Sequence, residues 1–543
     1  MILSIIIFSF IKCILHKFKE ETKMKRITAL LLALVMVFAL CACTGGGNKM
    51  SGEVSYDIPE GKQIPDDAVL QVTVASHPSW PYDENWKVWE YIKEAIGGTV
   101  NVNAVPSSDF GTKFPLIMAT KDGFPDVFGF QGKPSGLADY CDQGAFVALD
   151  DYEEFLPDYN AFWDSLPEED QWMRNTRRFS DGKIYYAPIY GMERSTNVRS
   201  WLYRKDIFDK HGLQTPETLD DLYNVSKELK KLYPESYPLC MRSGMANMNV
   251  IGSSFKPNFH YGAYYDFENE KWSYGARESE IMLEMVTFFK KMVDEKLIPA
   301  DFFTINASTW QELVSTDRGF IMPEYQVRID FFNDIARAQN PEYTIAAMKP
   351  PKSTNGIGVA LVNKFNHDPM GFGAPNTGDA GRIANAMRYI NWFYSDEGAE
   401  IVSWGKEGET YEVVDGKRKF ITGENDSNVN TLYGFKTIGT YLRVDPDMID
   451  ASISAEQAAT TDFMLENTYP HLDPTMYISL SAEDAQAVAD YQTSLTTVVE
   501  ENLMKFVIGQ RSLTEWDQFQ KELEALPIDD LLAIYEAAYE NYK

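Results

Sequence analysis

Residues 181–231 read DGKIYYAPIYGMERSTNVRSWLYRKDIFDKHGLQTPETLDDLYNVSKELKK, and this stretch decides the fold. Gly182 and Gly191 suit turns, because glycine enters left-handed backbone at little cost. Pro216 suits the approach to a helix. Thr218 and Asp221 fit the N-cap and third positions of that helix, and Leu219, Leu222, Val225, Leu229 and Leu232 follow as an apolar stripe at helical spacing.

Working outward, short β-rich runs alternate with helical patterns. VLQVTVAS at 69–76 reads as a strand and HPSWPYDE as a loop; the helix after it carries Trp89, Ile92 and Ile96 on one face until Gly97 and Gly98 stop it. TVNVNAV at 99–105 is the next strand, a helix is predicted over Lys113–Thr120, and FPDVFGF at 124–130 is a buried strand whose C-terminal loop should face a cleft. Toward the other end, Ile383, Met387, Ile390 and Phe393 mark a helix, with Ser395 as the N-cap of the next. Leu495, Val499, Leu503 and Phe506, then Trp516, Phe519 and Leu523, give two more. The alternation implies an α/β chain with a mostly parallel sheet flanked by helices, the length allows two domains, and no internal repeat is present.

The phrases of 181–231 resemble the extracellular solute-binding proteins, family 1, of ABC importers, the group that includes maltose-binding protein. A narrower resemblance, to LipO-type lipoproteins, lies in INWFYSDEGAEIVSWGKEGETYEVVDGKRKF at 390–420. Their pattern Y-S-x-E-G followed by G-x-E-G-x-x-Y is met at Tyr394–Gly398 and Gly405–Tyr411. The resemblance spans 68–543 and implies a two-lobe periplasmic-binding-protein-like fold of type II, with a ligand cleft between discontinuous lobes joined by a hinge. By that resemblance lobe 1 comprises 68–190 and 324–372, and lobe 2 comprises 191–323 and 373–543. The crossings fall near Ile189–Arg194, Ile321–Tyr325 and Gly371–Pro375. The implied function is capture of an oligosaccharide by hinge closure and delivery to permease subunits and their ATPase, by a monomer with no cofactor. A receptor for peptides or other small solutes is the alternative, and a secreted glycan-processing enzyme a more distant one.

A sugar ring has apolar faces and a polar rim, so its binders pair aromatic rings with charged hydrogen-bonding groups. Trp80, Tyr82 and Asp83 follow the first strand, where the fold places ligand, although Trp80-Pro81 equally suits a loop packed under the first helix. Phe130 and Gln131 end FPDVFGF. Tyr190, Glu193 and Arg194 sit at the first expected crossing and Glu324 and Tyr325 at the second, with hinge packing as the alternative role. By position, Trp404 corresponds to a stacking aromatic of maltose-binding protein, yet Ile401 and Trp404 are also spaced as one packed helix face. Glu407 and Tyr411 lie in the family-like loop. Arg242 follows Leu239–Met241, and an arginine there suits an acidic sugar.

Residues 24–43, MKRITALLLALVMVFALCAC, have two basic residues before a short apolar run that ends at small Ala42 and Cys43. This resembles a bacterial lipobox and implies cleavage before Cys43, lipidation of Cys43, and anchorage on the outer face of the cytoplasmic membrane. An ordinary signal peptide or an anchor helix is the alternative. Met24 is the expected start, residues 1–42 the upstream extension plus signal, and Gly-rich residues 43–67 a flexible tether.

The formal net charge is −30, and near −34 once residues 1–42, with six basic and two acidic side chains, are removed. Nucleic acid and anionic lipid surfaces are therefore poor partners. Of the five cysteines, Cys141 and Cys240 lie beyond Cys43 and are expected as thiols in different lobes, not as a disulfide. No H-E-x-x-H, G-x-S-x-G, Walker loop or paired C-x-x-C occurs, and the six histidines show no metal-ligand spacing, so neither an enzyme nor a metal site is expected. Asp445, Asp447 and Asp450 lack the glycine and terminal glutamate of an EF-hand and read as a solvated loop.

Overall fold

Alternating apolar positions in VLQVTVAS bury Leu70, Val72 and Val74 and make β1 (Val69–Ser76) the middle of a parallel trio. The computed structural model describes residues 57–542 apart from 121–123, 131–136, 168–170, 193–198, 358–359, 362–369, 423–427 and 470–477 and positions 79, 176, 180, 306, 467 and 479. Val72 of β1 pairs with Val102 of β2 (Thr99–Pro106) and with Val127 of β3 (Val127–Phe130), both in parallel register. Between β1 and β2 runs α1 (Lys87–Ile96), in which Trp89, Ile92 and Ile96 are wholly buried as expected. Between β2 and β3 runs α2 (Ser107–Met118), which begins six residues before the expected Lys113. Its early turns lack an apolar stripe, and Pro115 inside the helix removes only the hydrogen bond to the carbonyl of Gly111. The sheet is completed by β4 (Tyr186–Pro188) and by the strand Gly371–Gly373 (β8), which lies antiparallel between β3 and β4.

A second sheet lies in the other lobe. Its centre is β5 (Arg199–Arg204), flanked antiparallel by β6 (Ile321–Tyr325) and β7 (Ile345–Met348). The helix α4 (Leu219–Leu232) opens with the expected capping box: Thr218 Oγ1 accepts from the Asp221 backbone N–H at 3.0 Å, and the Asp221 carboxylate accepts from the Thr218 backbone N–H at 3.0 Å. Three C-terminal helices pack into the same core: α11 (Ala482–Val507), α12 (Trp516–Glu524) and α13 (Ile528–Tyr542). The last of these has no counterpart in the sequence reading.

Several expected boundaries differ. The tether ends before residue 67, because Ile64 is fully buried in the first core and its backbone N–H donates to Ile96 O at 3.1 Å. Residues 321–325 are not a crossing but strand β6, with Met322 paired opposite Leu202. Gly371–Pro375 is likewise no crossing, because β8 is interior to the first sheet. Helices α7 (Ala380–Trp392) and α8 (Asp396–Trp404) pack in the first core with Tyr411, Phe420, Met448 and Ile449, so 373–451 belongs to lobe 1 and 324–348 to lobe 2. The reason is that a buried sheet strand and a hinge strand share the same short apolar pattern. Met192 lies in the lobe 1 core and Arg199 in the lobe 2 sheet, Met348 in the lobe 2 sheet and Met370 in the lobe 1 core, and the chain passes between the lobes again at 452–454 between α9 (Pro446–Ala451) and α10 (Ala455–Glu466). Near the first passage Gly191 has φ +91°, and a Cβ there would lie 2.1 Å from Val444 O. At the last, the carboxylate of Asp330, in α6 (Arg328–Arg337), accepts from the backbone N–H of Ser454 at 2.9 Å and from its hydroxyl. Cys141 and Cys240 form no disulfide and are buried in different lobes, where burial pushes the Cys240 thiol up to about 12.

Candidate functional site: the cleft between the lobes

The carboxyl ends of open α/β sheets are where ligands bind, because chain leaving each strand there is released from the ladder and can present side chains. In lobe 1 the loop after β1 folds back: His77 bridges Trp80, the backbone N–H of Tyr82 donates to Ser76 Oγ at 2.9 Å, and the rings of His77 and Trp80 stack at 4.9 Å and 29°. Both rings are half-buried. In lobe 2 four side chains converge at one end of the sheet. Arg199 begins β5 and lies opposite Tyr325 at the end of β6; its guanidinium covers the Tyr325 ring at 4.7 Å and donates to Ser243 Oγ at 2.9 Å. Leu239 runs alongside Ile321 in parallel, which carries Arg242 to the same edge. There Arg242 grips the buried Glu324 carboxylate with two donors, Nη2 to Oε1 at 2.9 Å and Nε to Oε2, while Oε1 also accepts from the Tyr325 backbone N–H at 2.9 Å. Arg328 opens α6 one turn further on. The guanidinium groups of Arg242 and Arg328 lie 5.1 and 5.7 Å from the ring centre of buried Trp310.

Charge on lobe 2 acts on His77 of lobe 1. Burial pulls Arg328 down to about 10, with the like charges of Arg242 and Arg199 acting in the same direction and Glu324 against them. His77, on the opposite lobe, is held down at about 4 by burial and then by the positive charges of Arg328 and Arg242. It is therefore a neutral imidazole at pH 7.

Of the residues expected at the site, Arg242, Glu324 and Tyr325 are brought together on lobe 2, and Trp80 stacks on His77 on lobe 1. Tyr82 sits at the edge of the group and packs edge-on against Trp89 at 5.8 Å. Asp83 is exposed and points along its own turn, accepting from the backbone and side-chain amides of Asn85 at 2.9 Å. Phe130 is a correction: its ring is 1% exposed and stacked on Phe128 at 5.7 Å within lobe 1. Tyr190 pairs its backbone with Leu442 and Val444 and sets its ring against Phe162 and Trp163 of the same lobe. Trp404 is also a correction, since it offers no open face. It is 2% exposed, stacked on Phe420 at 5.0 Å, covered by Arg418, and bonded through Nε1 to Asp445 at 2.8 Å. Asp445 is itself the N-cap of α9, so the acidic run is a helix start and not a solvated loop. Glu407 is exposed in the turn before the hairpin Tyr411–Val414 and Lys417–Phe420, beside the α1 residues that Lys406 and Glu409 contact. Gln131, Glu193, Arg194 and Cys43 lie outside the described residues. His77, Arg199 and Arg328 were not anticipated; His77 stands in the same loop as Trp80, and Arg328 one helical turn beyond Glu324.

Two recesses of about 370 and 350 Å³ lie elsewhere, one beside β7 and α10 and one at the surface around Asp150 and Arg178, and neither includes a cleft arginine. Among the described residues no group of three His, Cys, Asp or Glu side chains is arranged to hold a metal, and no helix is long and apolar enough to cross a membrane.

Comparison with known proteins agrees with this architecture. Lipoprotein LipO of Bacillus subtilis (strain 168) is 24% identical over 75% of this chain and 77% of its own. The fructooligosaccharide ABC transporter substrate-binding protein FusA of Streptococcus pneumoniae serotype 4 is 22% identical over 97% of this chain and 99% of its own, and its structure with kestose superposes at TM-score 0.69 over 88% of this chain and 99% of that one. The alginate-binding protein AlgQ2 without calcium ion superposes at TM-score 0.70, with 20% identity, over 89% of this chain and 99% of the other. These likenesses establish the two-lobed α/β fold of type II. The model of the bacterial extracellular solute-binding proteins matches residues 87–400, which run from α1 through both sheets to α8, and the chain belongs to that family.

Proposed function

We propose that this protein is the substrate-binding lipoprotein of an ABC importer, which captures an oligosaccharide between its lobes and delivers it to a membrane permease. What supports this reading is a half-buried stacked ring on lobe 1 (Trp80 on His77) and a bidentate Arg242–Glu324 pair on lobe 2 whose arginine charge acts on His77. A sugar face fits the first and sugar hydroxyls fit the second. FusA, named for fructooligosaccharides, and AlgQ2, named for alginate, support the cargo class.

Mechanism is binding and release without bond chemistry. Ligand that touches His77 and Trp80 together with Arg199 and Arg242 favours the closed arrangement by the difference in its contacts between open and closed forms. Closure is a hinge motion at the three interlobe passages, and the closed protein presents both lobes to the permease as a monomer. Lipidation at Cys43 after removal of the preceding signal keeps it on the outer face of the membrane, so captured cargo stays near the permease. The test is a melting-temperature panel of neutral oligosaccharides, uronate oligosaccharides, monosaccharides and peptides. A concentration-dependent rise with oligosaccharides is expected. Stabilisation by peptides alone would assign a peptide receptor instead, and release of reducing ends over time would assign an enzyme.

A further inference from the structure

We propose that the cargo is acidic: an oligosaccharide with uronate rings, one carboxylate of which is received by the guanidinium of Arg199. The inference rests on the oligosaccharide reading above and adds the charge of the ligand.

Three arginines, Arg199, Arg242 and Arg328, converge at the cleft end of the second sheet, and the carboxylate of Glu324 lies among them. That carboxylate is committed, since both of its oxygens accept from Arg242 and Oε1 also takes the Tyr325 amide. Arg199 donates to a neutral hydroxyl, Ser243 Oγ, and lies over the Tyr325 ring at 4.7 Å, two contacts that position its guanidinium without neutralising it. Arg328 adds positive charge close enough for Arg199 and Arg242 to act against its protonation, and the field of Arg242 and Arg328 extends across the cleft to His77. Crowded like charges in a half-desolvated site are relieved by an anion entering among them. The concentration of positive charge is also local, because the whole chain carries −30. A receptor for neutral sugars needs hydroxyl partners, which carboxylates and amides supply as readily as guanidinium groups, whereas a planar guanidinium fork matches a carboxylate in geometry and charge. Stacking on Trp80 by an adjacent ring keeps the chain of sugars in register with that contact.

The test is titration calorimetry of the purified protein with a galacturonate trimer, a mannuronate trimer, and the carboxyl-reduced form of each, which keeps the length and linkage and removes the charge. At least one uronate trimer is expected to bind about tenfold or more tighter than its reduced form, the difference between a charge-assisted and a neutral hydrogen bond. In Arg199→Gln that ratio collapses toward one, and in Arg199→Lys, which keeps the charge and loses the fork, it falls to an intermediate value. Unchanged melting temperatures without ligand show that both variants are folded. Reduced trimers that bind as tightly as their uronates, or a ratio unchanged in Arg199→Gln, overturn the acidic assignment and leave the oligosaccharide reading standing. Failure of every uronate and neutral glycan to bind overturns both.

Discussion

His77 converts the opposition of the two lobes into a measurable pH dependence. Its folded-state value is about 4 against an ordinary 6.5, because burial and the charges of Arg328 and Arg242 oppose protonation. Above pH 6.5 neither the folded nor the unfolded chain carries the proton, and the contribution of the group to stability is complete. As pH falls from 6.5 to 4 the unfolded chain takes up a proton that the folded chain refuses, so stability is lost across that window and the loss levels off below pH 4. A shift of this size corresponds to about 3 kcal/mol at 1.36 kcal/mol per unit, and to about 2 kcal/mol after allowance for solvent at a half-buried ring. Urea unfolding of the wild type and of His77→Asn at steps from pH 7.5 to 4 isolates the term, because every other titrating group cancels in the difference. Wild type minus variant should be flat above pH 6.5 and fall by about 2–3 kcal/mol by pH 4. Arg328→Met should shrink that fall by removing one of its causes. Parallel stability curves for wild type and His77→Asn would refute the placement of His77 against the arginines.

Further outcomes follow from the same geometry. Glu324→Ala leaves the half-buried Arg242 beside two other arginines with no carboxylate partner and should lower unfolding free energy by about 2–3 kcal/mol, with most of it restored in Glu324→Ala/Arg242→Met; a loss under about 1 kcal/mol would show the pair to be solvated. Trp404→Ala should cost about 3–5 kcal/mol of stability in a thermal melt while glycan affinity in the folded fraction is kept, since the ring is closed off from the cleft. Trp80→Ala should do the reverse, weakening glycan binding by roughly 0.5–1.5 kcal/mol in calorimetry with little change in melting temperature. Gly191→Ala should destabilise by at least about 1–3 kcal/mol, because φ +91° and a Cβ 2.1 Å from Val444 O both oppose it.

Local patterns were legible in the sequence where one residue type has one physical use. The Thr218–Asp221 cap, the Trp89, Ile92 and Ile96 face, and the Leu495 to Phe506 stripe are all present as read. Lobe membership was not legible, because Ile321–Tyr325 and Gly371–Gly373 are short apolar strands whose partners, β5 for the one and β3 and β4 for the other, are all more than a hundred residues away. Trp404 shows the same limit in a side chain. Its helical spacing with Ile401 was correct, but only the fold shows Phe420, Arg418 and Asp445 closing over it. Arg242 and Glu324 were each named on separate grounds, and nothing in an 82-residue separation marks them as one pair. Arg199 and Arg328 were passed over because an arginine carries no sign of burial until its neighbours are placed.

The central claim is that ligand is held by both lobes at once. Small-angle X-ray scattering of the protein with and without a saturating oligosaccharide tests it most directly, with binding confirmed in the same sample by calorimetry. The account predicts a fall in radius of gyration on binding, lost in a variant that carries Trp80→Ala on one lobe and Arg199→Gln on the other. Saturation by an oligosaccharide with no change in radius of gyration, and with affinity indifferent to both substitutions, would contradict it.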